Sequence, residues 1–135
     1  MAGDALSRLR ALVPGPIVAH GRPLLVGLEA GPWKPGVRLA DPTAAGVIWG
    51  LPGQEALSAL LASLPPGARV ACVTPVRRGG ARGALDRVLL VGSRHAPVLL
   101  EDVCTRLFVS GVGGLGVFEI DARRNVVAVV GRKPP

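Results

Sequence analysis

"SGVGGLG", Ser110 to Gly116, contains the spacing G-x-G-x-x-G at Gly111, Gly113 and Gly116. Such a run cradles the pyrophosphate of a dinucleotide when a strand leads in and a helix leads out, because the ligand then sits at a helix N-terminus among free N–H groups. Here the order is reversed. Upstream, "VLLEDVCTRLFVSG" places Leu100, Val103, Cys104, Leu107 and Phe108 on one helical stripe. Downstream, "LGVFEID" reads as a strand. The loop therefore meets the partly negative carboxyl end of a helix. The acid expected about twenty positions further on is missing from "VVGRKPP". Gly111 is read as the left-handed cap that ends the helix, with Gly113 and Gly114 making the turn. The stretch decides for a helix followed by a closing antiparallel hairpin, "LGVFEID" and "NVVAVVGRK" joined by "ARR".

Working back toward the N-terminus, "ALDRVLLVGSRHAP" is ambiguous between helix and strand, and "RRGGARG" is a basic glycine-rich loop. "ARVACVTPV" reads as a strand. "QEALSALLASLPPG" is a helix with Leu57, Leu60, Leu61 and Leu64 at i, i+3, i+4 and i+7, stopped by Pro65, Pro66 and Gly67. "AGVIWGLP" is a buried strand, "VRLADP" a short extended piece and "PWKPG" a turn. "PIVAHG" and "PLLVGLEAG" read as two strands whose three-residue connector, His20 to Arg22, suits an antiparallel pair. "DALSRLRALV" opens as an amphipathic helix with Asp4 as its N-cap and Leu6, Leu9 and Val13 on one face, ended by Pro14 and Pro16.

The 135 residues imply one domain, spanning 1–135, with enough apolar sequence (49%) for a core of Val, Leu, Ala and Ile, since aromatics are only 3%. No apolar run approaches the roughly 18 residues of a membrane span. The start has an early acid and no long apolar core, so a secretion signal is not expected. Cys72 and Cys104 lack disulfide-framework or metal spacing, which fits reduced thiols in the cytoplasm. The net charge of +7 comes from fourteen Arg and two Lys against nine acids. Beside abundant Ala, Gly and Pro, that bias is what GC-rich bacterial coding produces, so a solvated basic surface is the simpler reading.

The stretch from Ala45 to Lys133 resembles the C-terminal half of class I S-adenosylmethionine-dependent methyltransferases. There a strand and helix lead through "L-x-P-G-G-x-v" into the next strand, and a helix and two antiparallel strands close the sheet. "AGVIWGLPGQEALSALLASLPPGARVACVTP" is similar to the first part, with Pro66, Gly67 and Ala68 where Pro-Gly-Gly is usual. "LLEDVCTRLFVSGVGGLGVFEIDARRNVVAVVGRK" is similar to the second. The resemblance implies an α/β fold with a mixed sheet of Rossmann-like methyltransferase type, a reduced number of helices and a C-terminal antiparallel hairpin.

The first third departs from that pattern. "PIVAHGRPLLVGLEAG" carries no D-x-G-x-G-x-G cofactor loop, and the strand end where catalytic motifs sit reads "WGLP". Glu29, ending "LLVGLE", is the one residue placed to mimic the ribose-binding acid. The resemblance thus implies a degenerate site and no cofactor, with S-adenosylmethionine only under an enzyme reading. With one helix left for one face, four strands about 17 Å long and 4.8 Å apart would leave roughly 330 Å² uncovered. At ~25 cal/mol/Å² that is on the order of 8 kcal/mol, comparable with the whole stability of a domain. A second copy or another protein is therefore expected against that face, near Val18, Leu24, Val26 and Leu28, with Trp33 on an exposed loop as a further contact.

Catalytic chemistry is thinly represented. His20 lies in a tight turn, His95 in a loop, and the serines have no nucleophile-elbow context. Cys72 lies in an apolar strand and Cys104 on an apolar helical stripe. Three functions are carried forward. The first is a non-catalytic methyltransferase-like interaction module, homodimeric in its simplest form. The second is a methyltransferase with an atypical pocket. The last is a nucleic-acid-binding module using Arg77, Arg78, Arg82, Arg123 and Arg124, disfavoured because aromatic platforms are absent.

Overall fold

The computed structural model describes residues 2–14, 17–20, 44–76, 98–122 and 125–134. Helix α1 (Ala2–Leu12) precedes β1 (Ile17–His20), β2 (Ala45–Trp49), α2 (Gln54–Ala62) and β3 (Arg69–Pro75). Helix α3 (Leu100–Val109) and strands β4 (Gly113–Asp121) and β5 (Val126–Arg132) complete the described chain. The strands form one sheet in the order β1-β2-β3-β5-β4. β1, β2 and β3 are parallel neighbours, and β5 is antiparallel to both β3 and β4. This is the mixed α/β sheet with a closing hairpin that the resemblance implies.

The central strands read as continuous apolar runs because both their faces are covered. Every residue of β2 is buried, as are six of the seven in β3. On one face α2 and α3 press Leu57, Leu60, Leu64, Val103 and Leu107 onto Val18, Ile48, Val70, Cys72 and Val129. Gly46 makes that approach possible: a β-carbon there would lie 2.7 Å from Leu64 Cδ1 and 3.1 Å from Leu60 Cγ. On the other face α1 lays Ala5, Leu9 and Val13 against Ile17, Val47, Trp49, Val73, Ile120 and Ala128.

That second face corrects the area argument for a partner. Its side chains from β1, β2, β3 and β5 are buried within the single chain, so no four-strand apolar face stays wet. Val18 is also core rather than surface, fully buried on the α2 side. Leu24, Val26, Leu28 and Trp33 lie outside the described residues, as does the second early strand. Among the described residues β1 has β2 as a parallel neighbour.

Three local expectations also change. α1 begins at Ala2, so Asp4 has helical backbone and cannot be the N-cap, which needs an extended one. Phe108 is 73% exposed although its neighbour Leu107 is fully buried, because successive helical residues point about 100° apart and the face on the core runs through Leu100, Val103, Cys104 and Leu107. β4 starts at Gly113, so Gly113 and Gly114 belong to the strand, with a register shift between Gly113 and Gly116. Gly111, at φ +93°, is the left-handed residue expected after α3.

Candidate functional site

Parallel α/β sheets bind ligands beyond the carboxyl ends of their strands. Here that end is built from Trp49 to Pro52 after β2 and from Pro75 and Val76 at the end of β3. Gly50, at φ +76°, turns the chain out of β2 while its N–H donates to the Val73 carbonyl at 2.9 Å. Beyond it Leu51 is exposed. Arg106 Nη1 donates to the Pro52 carbonyl at 2.7 Å, which fixes this loop to α3. At β3 the Val76 N–H donates to the Asn125 carbonyl at 3.0 Å, and Asn125 Nδ2 returns a 2.6 Å bond to the Val76 carbonyl. Asn125 holds φ +54° in the hairpin turn, a conformation its short polar side chain tolerates.

Two groups at this end carry chemical information. The first is Cys72, whose thiol donates to the Gly50 carbonyl at 3.1 Å. Burial, with a smaller contribution from the nearby Cys104, pushes it from 9.0 up to about 12. Its thiolate is thus scarcer at neutral pH than that of an ordinary cysteine. The second is Trp49, 4% exposed, whose indole Nε1–H is buried without an acceptor among the described residues. A buried donor left unpaired costs about 1–3 kcal/mol, so the indole has unused capacity to bind an acceptor.

Of the other sequence-derived residues, Glu29, Arg77, Arg78, Arg82, Arg123, Arg124 and His95 lie outside the described chain. Cys104 is half-buried on α3. No group of three His, Cys, Asp or Glu side chains is arranged for a metal among the described residues, and no described helix is long and apolar enough to cross a membrane.

A different kind of surface lies at the far side of the sheet. β4 is, with the four-residue β1, one of the two edge strands among the described residues, and it is nine residues long. Val117 is 46% and Phe118 44% exposed, on opposite faces because strand side chains alternate. At the end of the neighbouring α3, Phe108 and Val109 are also exposed. The sequence signal for this exposed strand lies in β4 itself: it is glycine-rich at its start and apolar at two consecutive positions rather than alternately polar.

No protein-family model and no curated protein sequence matches the chain. Among solved structures, it is similar to an S-adenosylmethionine-dependent methyltransferase, SibL, in its apo form, at 18% identity and TM-score 0.49, covering 67% of this chain and 31% of that one. It is similar to a "possible exported protein" from Bordetella parapertussis at 18% identity and TM-score 0.51, covering 76% of this chain and 42% of that one. Human N-acetylserotonin methyltransferase in complex with SAM aligns at 16% identity and TM-score 0.47, over 67% of this chain and 29% of that one. The chain thus covers less than half the length of each, and identities this low speak to the fold alone.

Proposed function

We propose that this chain is a methyltransferase-like domain that works as an assembly module, pairing with a second copy of itself through the edge of β4, and that it takes no cofactor. The observation that carries this reading is the long β4 edge, which has no strand beside it among the described residues and exposes Val117 and Phe118. An exposed edge strand presents unpaired N–H and C=O groups as a template for another strand, and soluble proteins blunt such edges unless they use them. β4 has no Lys, Arg or Pro between Gly113 and Asp121; its charges, Glu119 and Asp121, and its two register shifts lie to either side of Val117 and Phe118. Antiparallel pairing about a two-fold axis centred on Val117 is self-complementary. It sets Phe118 of one copy opposite Gly116 of the other, a large side chain beside none. The lack of a glycine-rich cofactor loop after β1, where "GRPLLVG" stands, supports a role without catalysis.

The test is solution mass by light scattering together with calorimetric titration with S-adenosylmethionine. A dimer that Val117→Lys converts to monomer, with no saturable cofactor heat, is the expected result. A monomeric native protein overturns the pairing.

A second reading, a methyltransferase with an atypical pocket, is favoured by one observation: the unpaired Trp49 indole at the carboxyl end of β2. Saturable cofactor binding that weakens in Trp49→Phe would establish it. Binding that is indifferent to Glu29→Ala would remove Glu29 from that site.

A further inference from the structure

At the end of the sheet opposite Trp49, a cleft of about 310 Å³ opens between the last turn of α1 and strands β3, β5 and β4. Arg69, the first residue of β3, and Arg132, the last of β5, both line it. They are directly paired across the strands, so their β-carbons are about 5 Å apart on one face. Like charges set opposite one another destabilise a sheet, and no Asp or Glu lines this cleft among the described residues. Arg69 is steadied by a 2.8 Å bond from Nη1 to the Leu12 carbonyl, at the partly negative end of α1. A guanidinium carries five N–H donors, so that bond leaves the rest available. Arg132 is exposed.

The remaining lining is apolar or bare. Leu12, Val130 and Phe118 form walls, and Gly114, Gly116 and Gly131 contribute no side chains. The Phe118 ring folds back over Gly116, with Cε2 at 2.9 Å from where a β-carbon would stand, so only glycine allows that ring position. A flat aromatic wall thus faces into a cleft headed by two cations. A neighbouring cleft of about 390 Å³ shares Arg132, but its other cation, Lys133, is held by the Leu64 carbonyl at 2.8 Å.

We infer that the Arg69–Arg132–Phe118 cleft is a binding site for a small organic anion, a phosphate monoester or carboxylate attached to a flat apolar body. The anionic head sits between the two guanidinium groups and relieves their repulsion. The body lies along Phe118, Leu12 and Val130. The volume falls at the small end of ligand pockets, which run from about 300 to 1,000 Å³, so the ligand has one ring rather than several. The site lies at the opposite end of the sheet from Trp49; it shares Phe118 and Gly116 with the β4 edge, whereas Arg69 and Arg132 lie on β3 and β5, away from that edge.

The test titrates the full chain with phenyl phosphate, benzoate and inorganic phosphate in low salt, following binding by calorimetry. One or both aromatic anions should bind saturably and more tightly than inorganic phosphate. Arg132→Gln, at an exposed position that leaves the α1 bond intact, should weaken the binding about tenfold or more, as loss of a charge-assisted contact implies. Phe118→Ala should weaken the aromatic anions while leaving inorganic phosphate unchanged. Arg69→Gln is read beside its circular dichroism, since it also removes the bond to α1. No saturable binding, affinity unchanged in Arg132→Gln, or inorganic phosphate binding as well as the aromatic anions would each overturn the assignment.

Discussion

β2 and β4 belong to one sheet and are both rich in apolar residues, yet they have opposite fates. All five residues of β2 are buried, whereas in β4 only Ile120 is. β2 lies between two parallel partners with α1 above and α2 below. β4 has β5 on one side, and the helices reach it only near its ends, through Leu115 on the α3 face and Ile120 on the α1 face. Apolar composition therefore has two outcomes among the described residues: in β2 it is buried, and in β4 most of it stays exposed.

The largest effect should come from the covered side. Leu60 is 2% exposed and packs over Gly46. Leu60→Ala should cost about 3 kcal/mol, the usual range for a cavity left by a buried leucine, measured as the urea midpoint. A cost near zero would mean that α2 is not seated on β2 as described.

The next effect is a pH dependence. The Cys72 thiol holds its proton up to about 12 in the folded chain, against 9.0 when unfolded. Above pH 9 the unfolded chain gives up that proton while the folded one keeps it, so unfolding is favoured. Stability should be intact below pH 9 and fall by up to ~1.4 kcal/mol per pH unit between 9 and 12. Cys72→Ala should flatten that alkaline limb, and in the native protein Cys104 should be alkylated well before Cys72.

Asn125 tests the turn between the two edge-side strands. Asn125→Ala removes the bond to the Val76 carbonyl and strains a positive φ, and should cost about 1–2 kcal/mol. Asn125→Gly relieves the strain and should cost less. The smallest effect belongs to the exposed edge. Val117→Thr should change the stability of the monomer by less than about 0.5 kcal/mol while weakening self-association. If it destabilises the fold as much as Leu60→Ala does, β4 is core and the contrast with β2 fails.

Much of the covered side was legible. The i, i+3, i+4, i+7 leucines of α2 and the unbroken apolar runs of β2 and β3 identify buried elements without any tertiary information. The order around Gly111, helix before and strand after, is the one the structure has. Phe108 was misplaced for a definite reason. A helical stripe shows which residues share a face, but the sheet beneath decides how wide a stripe is covered, and here that width stops at Leu107. Val18 shows the same limit in reverse: an apolar residue in an early strand reads equally well as core or as contact.

The Arg69–Arg132 cleft was hidden by distance along the chain. Each arginine ends an apolar strand, in "GARV" and "VVGRK". That is a faint signal, since strand ends are commonly charged. What makes them a pair is the antiparallel register of β3 and β5, which depends on where the β4–β5 turn falls and on β5 inserting between β3 and β4.

By itself, then, the sequence determined the periodic elements, the closing hairpin and the burial of Cys72. These follow from local spacing and polarity, which act within a few residues. The tertiary structure alone decided that α1 covers the second face, that β4 lies at an edge of the described sheet, and that two cations meet over one cleft. Those outcomes depend on strand order and register, and the energies that set them come from contacts between residues far apart in the chain.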